Sequence, residues 1–424
     1  MAFAAIQKLG PSWSPTTPEQ PQLGSNFGEF PPIRAAFDRE AYLLREAMLA
    51  LVQAVKQPQL PEGYPSQVDS LAVWSPVTFR PENIAYKLTS AEIRELENAV
   101  HLFKASRREL NDINPDTFPL PNLRQKLRKL SWDLHERAGA VIVKGLQPGK
   151  YDFIDNIVLF AGLASHIGDQ RGRQSAQNDV LTHLYSVYDK SISDPRPGLS
   201  NHKLPFHNDH CDILALYVVE TALRGGTTRW ASFGKIYNEI VRTKPRIIET
   251  LARNDWPHET PSKEIKYLPL LFKDESGSPF ISFTRFALTG LPTCPRSPTS
   301  PKLTPDQADA LDTIQYLAEK FAVEISQEKG DIFFLNNRAA LHARDEIQDP
   351  PESSRRHLMR LCLRDTEYGH LIPEDLKRRW GDIFDGDQWK QGRWALVKEH
   401  DPTFISNSQF DASFSNDETT GSHG

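Results

Sequence analysis

Hydrophobic residues in the first third of the chain recur at helical spacing. Between positions 38 and 56 they return every three or four residues, which predicts a helix over that range. A second helix is predicted to begin at Thr89, because Glu92 stands three residues later and completes the pattern of a capping box. A third is predicted over 123–137, between a proline and a glycine. The first two belong to a helical N-terminal segment, 38–120, that we expect to pack on the core.

From residue 138 onward the pattern changes to short apolar runs and alternating positions, which are typical of strands. The lengths between them are irregular, and few units repeat the strand–helix–strand order of a parallel sheet. We therefore predict an α+β protein with a mainly β core, folded as a double-stranded β-helix (jelly-roll) barrel with flanking helices and a helical N-terminal extension. The predicted strands are 138–143, 180–188, 211–220, 227–232, 265–271, 332–335 and 357–363, and the predicted helices are 151–167, 234–243 and 305–321.

Composition divides the chain into four parts. Residues 1–37 are rich in Pro, Ser, Gly and Gln, and we expect a disordered extension there. The helical segment 38–120 follows, and then the jelly-roll domain over 121–400. Residues 401–424 are expected to form a flexible tail, because Ser, Asn and Asp are frequent near the C-terminus.

Charge and cysteine content exclude several classes of protein. The 424 residues carry a formal net charge of -5 and the basic runs are short, so we expect no nucleic-acid partner. No run of about 18 apolar residues could span a bilayer, and the N-terminus lacks the pattern of a secretory signal. Three scattered cysteines do not form a disulfide framework, which favours a reducing compartment. We expect a soluble, cytoplasmic protein without a membrane partner, and its oligomeric state is open.

The first candidate for chemistry is the segment 206–210, Phe-His-Asn-Asp-His, which leads directly into an apolar run over 213–219. In an extended chain alternate residues face one way, so the side chains of His207 and Asp209 would lie together and that of Asn208 opposite. An imidazole and a carboxylate side by side can occupy two adjacent positions on one metal ion. Alone the pattern is a weak signal, because most His-x-Asp triplets arise by coincidence.

A candidate third ligand and an arginine-rich strand lie downstream. His342 is the candidate third ligand and follows a turn, a strand and a second turn. The alternative to a metal ligand is a half-buried histidine that bonds to a backbone carbonyl. Further on, Arg356, Arg360 and Arg364 share one face of a predicted strand, and hydrophobic residues dominate the other face. Either the arginines face water, or they point into a barrel whose outer face is covered by helices. A buried guanidinium stays charged and can hold a distal carboxylate at two points.

A glycine pair stands between these two regions. Gly225 and Gly226 permit a tight turn and a close approach of the backbone. Thr228, in the strand that follows, could offer its hydroxyl to the same carboxylate that an arginine holds. Taken alone, the Gly-Gly-Thr triplet indicates only a hairpin.

In this order, the motifs resemble those of the taurine dioxygenase and clavaminate synthase-like family of iron(II)- and 2-oxoglutarate-dependent dioxygenases. The resemblance covers about residues 138–400 and leaves the part before residue 120 unplaced. A further stretch, 168–172, is similar to fungal members of the family. The matching motifs are 207–209, 225–228, 336–337 before His342, and 355–360.

The resemblance implies a role for each candidate residue. It implies that His207, Asp209 and His342 bind iron(II). Arg356 and Thr228 would bind the far carboxylate of 2-oxoglutarate. Arg360 would meet an anionic group on the prime substrate, and the alternative for it is a solvent-facing arginine. Because halogenating relatives have a small residue at the position of Asp209, the carboxylate favours hydroxylation or a related oxidation, with O2 as the second cosubstrate.

We predict an iron(II)/2-oxoglutarate-dependent dioxygenase that oxidises a small molecule and releases succinate and CO2. The resemblance implies that this small molecule belongs to secondary metabolism. Hydroxylation, desaturation, cyclisation and epimerisation stay open. One alternative is a zinc-dependent hydrolase or lyase on the same ligands, which metal content and 2-oxoglutarate dependence would distinguish. Another is a catalytically silent jelly-roll binding protein, against which the complete ligand set argues. On position alone, His183, His210 and Gln170 are further pocket candidates, although a structural role is the simpler expectation.

Overall fold

The computed structural model describes residues 31, 33–34, 36–52, 60–175, 178–185, 200–259, 264–290, 295–350, 356–384, 391–394 and 396. The predicted tail, 401–424, and nearly all of the predicted extension, 1–37, lie outside these residues. Both therefore stay predictions.

The helices begin where local hydrogen bonding dictates. The capping box predicted at Thr89 is present: its hydroxyl accepts from the backbone N–H of Glu92, whose carboxylate accepts from the backbone N–H of Thr89. Thr304 and Gln307 form the same arrangement at the start of a later helix. No described helix is long and apolar enough to cross a membrane. The helices within the described ranges are α1 (Arg39–Val52), α2 (Ser90–Ala105), α3 (Arg124–Glu136), α4 (Phe153–Ser165), α5 (Phe233–Thr243), α6 (Arg246–Ala252), α7 (Phe286–Thr289), α8 (Pro305–Phe321) and α9 (Glu374–Phe384).

Two sheets form the centre of the protein. The larger has the strand order β1-β2-β13-β6-β15-β4-β16, with β3 also paired to β15, and the smaller has the order β12-β7-β14-β5. Two short pairs, β8–β9 and β10–β11, stand apart. The strands are β1 (Ala85–Lys87), β2 (Ala140–Lys144), β3 (Gln170–Gly172), β4 (Asp179–Tyr185), β5 (Leu204–His207), β6 (Ile213–Glu220), β7 (Thr228–Ser232), β8 (Trp256–Glu259), β9 (Ile265–Leu268), β10 (Leu271–Lys273), β11 (Pro279–Ile281), β12 (Val323–Ile325), β13 (Ile332–Asn336), β14 (Ala340–Arg344), β15 (His357–Arg364) and β16 (Arg393–Trp394).

Three apolar clusters separate the layers. One lies between the larger sheet and α2, α3 and α4, and a second covers the smaller sheet with α5, α6 and α8. The third lies between the two sheets, where Trp230 of β7 packs edge-on against Phe333 of β13. Each large apolar side chain buried in this way contributes about 1.5–3 kcal/mol to the free energy of unfolding. The protein is therefore a mixed α/β fold with a sheet-rich core.

The two faces of β15 differ, as expected if the arginines point inward and helices cover the opposite face. Met359 and Leu361 pack into the cluster under the helices. Leu358 lies on the opposite face, in the cluster between the sheets. Arg356 and Arg360 are only 6% and 8% exposed, so the interpretation that placed these arginines in water is wrong.

Candidate active site

His207 and His342 lie side by side on the smaller sheet. His207 ends β5, His342 is in the middle of β14, and the two residues are direct partners in the antiparallel pairing. Their ring centroids are 4.2 Å apart. The Nδ1 of His207 lies 2.9 Å from the carbonyl oxygen of Pro205, and donating to it fixes the proton on Nδ1. The lone pair of Nε2 is then available, and Nε2 lies 3.7 Å from Oδ1 of Asp209.

Asp209 reaches the histidines from a loop, which differs from the extended chain expected from the sequence. β5 ends at His207 in the smaller sheet, and β6 begins at Ile213 in the larger sheet. The chain therefore crosses from one sheet to the other over residues 208–212. The extended conformation expected over 207–209 ends at His207, because the backbone leaves the pairing of β5 before Asp209. The predicted convergence of the two side chains is nevertheless present.

Asn208 and Asn337 hold this loop in place. The amide of Asn208 donates to the carbonyl oxygens of Ile281 and Asn337, and its own oxygen accepts from the backbone of Phe283 at 2.7 Å. The side chain of Asn337 accepts from the backbone N–H of Asp209 at 3.3 Å. It also donates to the carbonyl oxygen of Cys211 at 2.9 Å. Each buried amide thus joins the loop to a neighbouring segment, which keeps the carboxylate beside the histidines.

The protonation states suit a cation. Burial lowers the pKa of His207, and burial together with the nearby His207 lowers the pKa of His342 to about 3. Burial opposes ionisation of Asp209, but the charges of Arg360 and the two histidines outweigh it and lower the pKa of the carboxyl to about 2. At neutral pH the site therefore has two neutral imidazoles and one carboxylate.

The donor set fits iron(II). The ligand atoms of His207, Asp209 and His342 lie within 4.8 Å of one another, and no other such group of His, Cys, Asp or Glu occurs among the described residues. Nδ1 of His342 is buried without a hydrogen-bond partner. Two imidazoles and one carboxylate on one side of an ion leave open positions, which is the arrangement of non-haem iron oxygenases.

Arg360 lies directly beside the carboxylate. Its Nη1 donates to Oδ2 of Asp209 at 3.3 Å, and its Nε donates to the side chain of Gln174 at 2.6 Å. The amide of Gln174 donates in turn to the carbonyl oxygens of Val180 and Arg360, at 2.8 and 3.0 Å. Gln174 is 4% exposed. It holds the arginine in one orientation, and sequence reasoning missed it because nothing in the surrounding residues marks it.

Thr228 lies on the same face of the smaller sheet as His342. It pairs with Arg344, two residues beyond His342 on β14, and both side chains are buried. Gly225 and Gly226 allow the turn before β7 to lie close to the chain that follows β14. A Cβ on Gly225, whose φ is +70°, would lie 2.2 Å from the carbonyl oxygen of Glu346. The turn therefore packs against the chain after β14, and the hairpin that the Gly-Gly-Thr triplet indicated is wrong, because β6 and β7 lie in different sheets.

Arg356 is buried and lacks partners for part of its guanidinium. Its Nε and Nη1 have no hydrogen-bond partner among the described residues. Burial and the nearby charge of Arg344 lower its pKa to about 9, against the effect of Asp349. The group is therefore a buried cation at neutral pH. A buried cation with unsatisfied donors is destabilising unless an anion binds there, so Arg356 suits a carboxylate.

The other pocket candidates have different surroundings. His183 bonds to His357 at 2.8 Å and stacks on Phe153 of α4, on the helix-covered side of the larger sheet. Gln170 pairs with Arg364 at the far end of β15. His210 lies next to the metal-binding candidates along the chain and is half-buried. A structural position is therefore what the geometry indicates for His183 and Gln170.

Comparison with known proteins gives a family match. The model of the taurine catabolism dioxygenase TauD, TfdA family matches residues 104–362, more than half of the chain. The taurine hydroxylase-like protein SAT17 of Stachybotrys chartarum (strain CBS 109288 / IBT 7711) is 35% identical over 315 residues, 72% of this chain and 82% of the relative. The FR-33289 synthase of Streptomyces rubellomurinus (strain ATCC 31215) is 24% identical over 294 residues, 64% of this chain and 82% of the relative.

Solved structures share the fold. An asparagine oxygenase in complex with Fe(II), 2S,3S-3-hydroxyasparagine and succinate superposes with a TM-score of 0.53 at 15% identity, covering 68% of this chain and 99% of that one. A mutant of the non-heme iron oxygenase OrfP in complex with (3S)-hydroxy-L-Arg superposes with a TM-score of 0.50 at 17% identity, with the same coverage. The chain belongs to the TauD, TfdA family of non-haem iron, 2-oxoglutarate-dependent oxygenases.

Proposed function

We propose that this protein is a dioxygenase that hydroxylates an anionic small molecule and converts 2-oxoglutarate to succinate and CO2. The observation that carries the proposal is the convergence of His207, Asp209 and His342, and the buried, partly unpartnered Arg356 supports it. The two facing sheets support the finer assignment of a double-stranded β-helix, with the site between them.

The three converging side chains would hold iron(II). Bound iron together with 2-oxoglutarate and O2 supplies the oxidising chemistry. The protein contributes fixed ligands, because the tautomer of His207 is set by Pro205 and the loop of Asp209 is held by two asparagines. The apolar cluster between the sheets includes Trp230, the strand partner of His342, and would keep water from that side of the site. This favours oxidation of a bound substrate over side reactions with solvent.

Arg356 and Thr228 would bind the far carboxylate of 2-oxoglutarate. The unpartnered Nε and Nη1 of Arg356 can donate to it together, and the hydroxyl of Thr228 lies on the face that bears His342. These contacts give the cosubstrate one orientation relative to the metal ligands. A zinc-dependent hydrolase would give Arg356 no task, which favours the dioxygenase.

Arg360 would hold an anionic group of the prime substrate. Its guanidinium is buried next to a metal-ligand candidate, and Gln174 fixes its orientation. A carboxylate, sulfonate or phosphate bound there would bring the neighbouring carbon atoms of the substrate toward the metal. The relative described as taurine hydroxylase-like and the structure with bound hydroxyasparagine both support hydroxylation as the outcome.

Succinate formation tests the proposal. The protein is loaded with iron(II) and supplied with 2-oxoglutarate, ascorbate and O2, and amino acids, aminosulfonates and phosphonates are screened for substrate-stimulated succinate. We expect one class of anionic compound to stimulate succinate and to gain one oxygen atom in equal amounts. Zinc-supported turnover without O2 or 2-oxoglutarate would overturn the proposal, and so would failure to bind 2-oxoglutarate. The Arg356→Leu variant serves as the control for binding.

A further inference from the structure

We propose that Arg344 is a specificity-determining residue, which together with Arg356 makes the cosubstrate pocket selective for a 2-oxo acid with a second carboxylate. The inference rests on the proposed function, because it concerns the cosubstrate of that reaction. Neither the sequence motifs nor the family resemblance pointed to this arginine. It follows from where β14 places the side chain.

Arg344 faces the metal-binding side of the smaller sheet. It stands two residues after His342 on the same strand, so both side chains lie on one face. On that face its direct neighbour across the pairing is Thr228, the other candidate for the far carboxylate. Arg344 is 5% exposed, which excludes a role as an ordinary surface charge.

The charge of Arg344 also acts on Arg356, which directly precedes β15 of the larger sheet. This positive charge is close enough to lower the pKa of Arg356, whereas Asp349 acts in the opposite direction. Two guanidinium groups placed together inside a protein repel each other, and an anion between them removes that repulsion. The unpartnered nitrogens of Arg356 mark where that anion would bind. The far carboxylate of a dicarboxylic 2-oxo acid has the required charge.

Arg344 also bonds to the segment that leads into β5, the strand that ends at His207. Its Nη2 donates to the carbonyl oxygens of Ser200 and His202, each at 2.7 Å. Those residues directly precede β5, which ends at His207. The side chain is therefore held by backbone acceptors in one position. A pre-positioned cation discriminates between ligands better than a mobile one, because no side-chain entropy is lost when the ligand binds.

Selectivity between two ligands tests this role. The iron(II)-loaded protein is titrated without oxygen with 2-oxoglutarate and with 2-oxovalerate, which has the same carbon chain but lacks the far carboxylate. Both chelate metal through the 2-oxo acid group, so a loss of metal or fold weakens both alike. The ratio of their Kd values isolates the far carboxylate. We expect Arg344→Met to reduce that ratio by about tenfold or more, since a charge-assisted contact is lost.

Two further variants make the result decisive. Arg229→Met removes an arginine from β7 whose side chain bonds to Asp345 and Glu324 and is 33% exposed, and it should leave the ratio unchanged. Arg344→Lys keeps the charge but not the planar fork, so it should lower the ratio by less than the roughly tenfold expected for Arg344→Met. If Arg344→Met does not fold, the Arg344→Lys variant still tests the role of Arg344.

The outcomes separate this inference from the proposed function. If Arg344→Met weakens both ligands equally, Arg344 is only structural and the inference is overturned. A ratio in Arg344→Lys as low as that of Arg356→Leu would also overturn it. If the native protein itself shows no preference for 2-oxoglutarate over 2-oxovalerate, the proposed use of 2-oxoglutarate fails first.

Discussion

The two oxygens of the Asp209 carboxylate have different partners: Oδ1 lies 3.7 Å from Nε2 of His207, and Oδ2 accepts from Nη1 of Arg360 at 3.3 Å. One oxygen is thus turned toward the metal-binding histidine and the other toward an arginine. The arginine fixes the rotation of the carboxylate and favours its ionised form. Asp209 and Arg360 therefore form a coupled pair, and a change in either should affect the other.

Replacing Asp209 with Gly should abolish product formation. The change removes one of three metal-ligand candidates and leaves Arg360 beside the histidines without the carboxylate. Loss of a residue that only hydrogen-bonds to a metal ligand already lowers metal affinity or activity by about 10- to 100-fold. Loss of a ligand itself should therefore lower kcat/KM by at least about a hundredfold. Turnover, iron content and the melting temperature are measured together.

The fold should survive this change, because the asparagines that hold the loop bond mainly through backbone atoms. Added chloride could bind in place of the carboxylate, but we expect no efficient halogenation. Native turnover in Asp209→Gly would mean that Asp209 is not a ligand.

Replacing either His207 or His342 with Ala should remove the iron site. The native protein is expected to bind one iron(II) and, with 2-oxoglutarate and without oxygen, to develop a weak charge-transfer band in the visible range. Each variant retains only two of the three donors, so the band should disappear. Anaerobic absorbance titration with iron analysis measures both quantities. His183→Ala is the matched control, since that histidine lies on the helix-covered side of the larger sheet. Full iron binding with an unchanged band in His207→Ala or His342→Ala would contradict the assignment.

The sequence predicted the helices better than the site strands. Helix α8 was predicted over 305–321 and is present over those residues, because its capping box and its apolar spacing are both local. β5 and β14 were missed. They are short, β5 contains a proline, and each depends on pairing with a strand that is remote in sequence. The pairing that brings His207 to His342 is therefore tertiary information.

The site residues divide in the same way. Residues that belong to a motif, such as His207 and Asp209, could be proposed from the sequence. Gln174 and Arg344 could not, because their significance comes from contacts with residues far along the chain. Arg356 was proposed from a motif, but only the structure gives its burial and its unpartnered nitrogens.

Acid should destabilise the metal-free protein through its buried histidines. The pKa of His342 is about 3 in the folded state, against an ordinary value of 6.5, so the unfolded chain binds more protons below pH 6.5. Stability therefore falls as the pH falls through 6.5. Between pH 6.5 and 5 this histidine alone should cost up to about 2 kcal/mol. His207 is shifted in the same direction.

Urea unfolding of chelator-treated protein at pH 7 and pH 5 measures this effect. The His342→Gln variant cannot gain that proton, so its free energy of unfolding should fall less than that of the native protein. The difference between the two proteins should approach about 2 kcal/mol. Equal pH dependence in both would show that His342 titrates normally.

Arg356 and Arg360 should serve different ligands, and binding kinetics can separate them. Arg356→Leu removes a charge-assisted contact to the far carboxylate in a buried space. Such contacts contribute about 1.5–3 kcal/mol, so the affinity for 2-oxoglutarate should fall by about ten- to a hundredfold or more. Arg360→Leu should leave that affinity nearly intact and raise KM for the prime substrate.

Arg360→Leu should have a second effect because of Asp209. The carboxylate loses the partner of its Oδ2 and can rotate, so less of the 2-oxoglutarate consumed should yield hydroxylated product. The ratio of succinate to product measures this uncoupling. Arg356 directly precedes β15 and Arg360 lies within it, about 13 Å further along if the chain is extended, so the two variants probe different positions. A larger loss of 2-oxoglutarate affinity in Arg360→Leu than in Arg356→Leu would reverse the two roles and remove the main support for an anionic substrate.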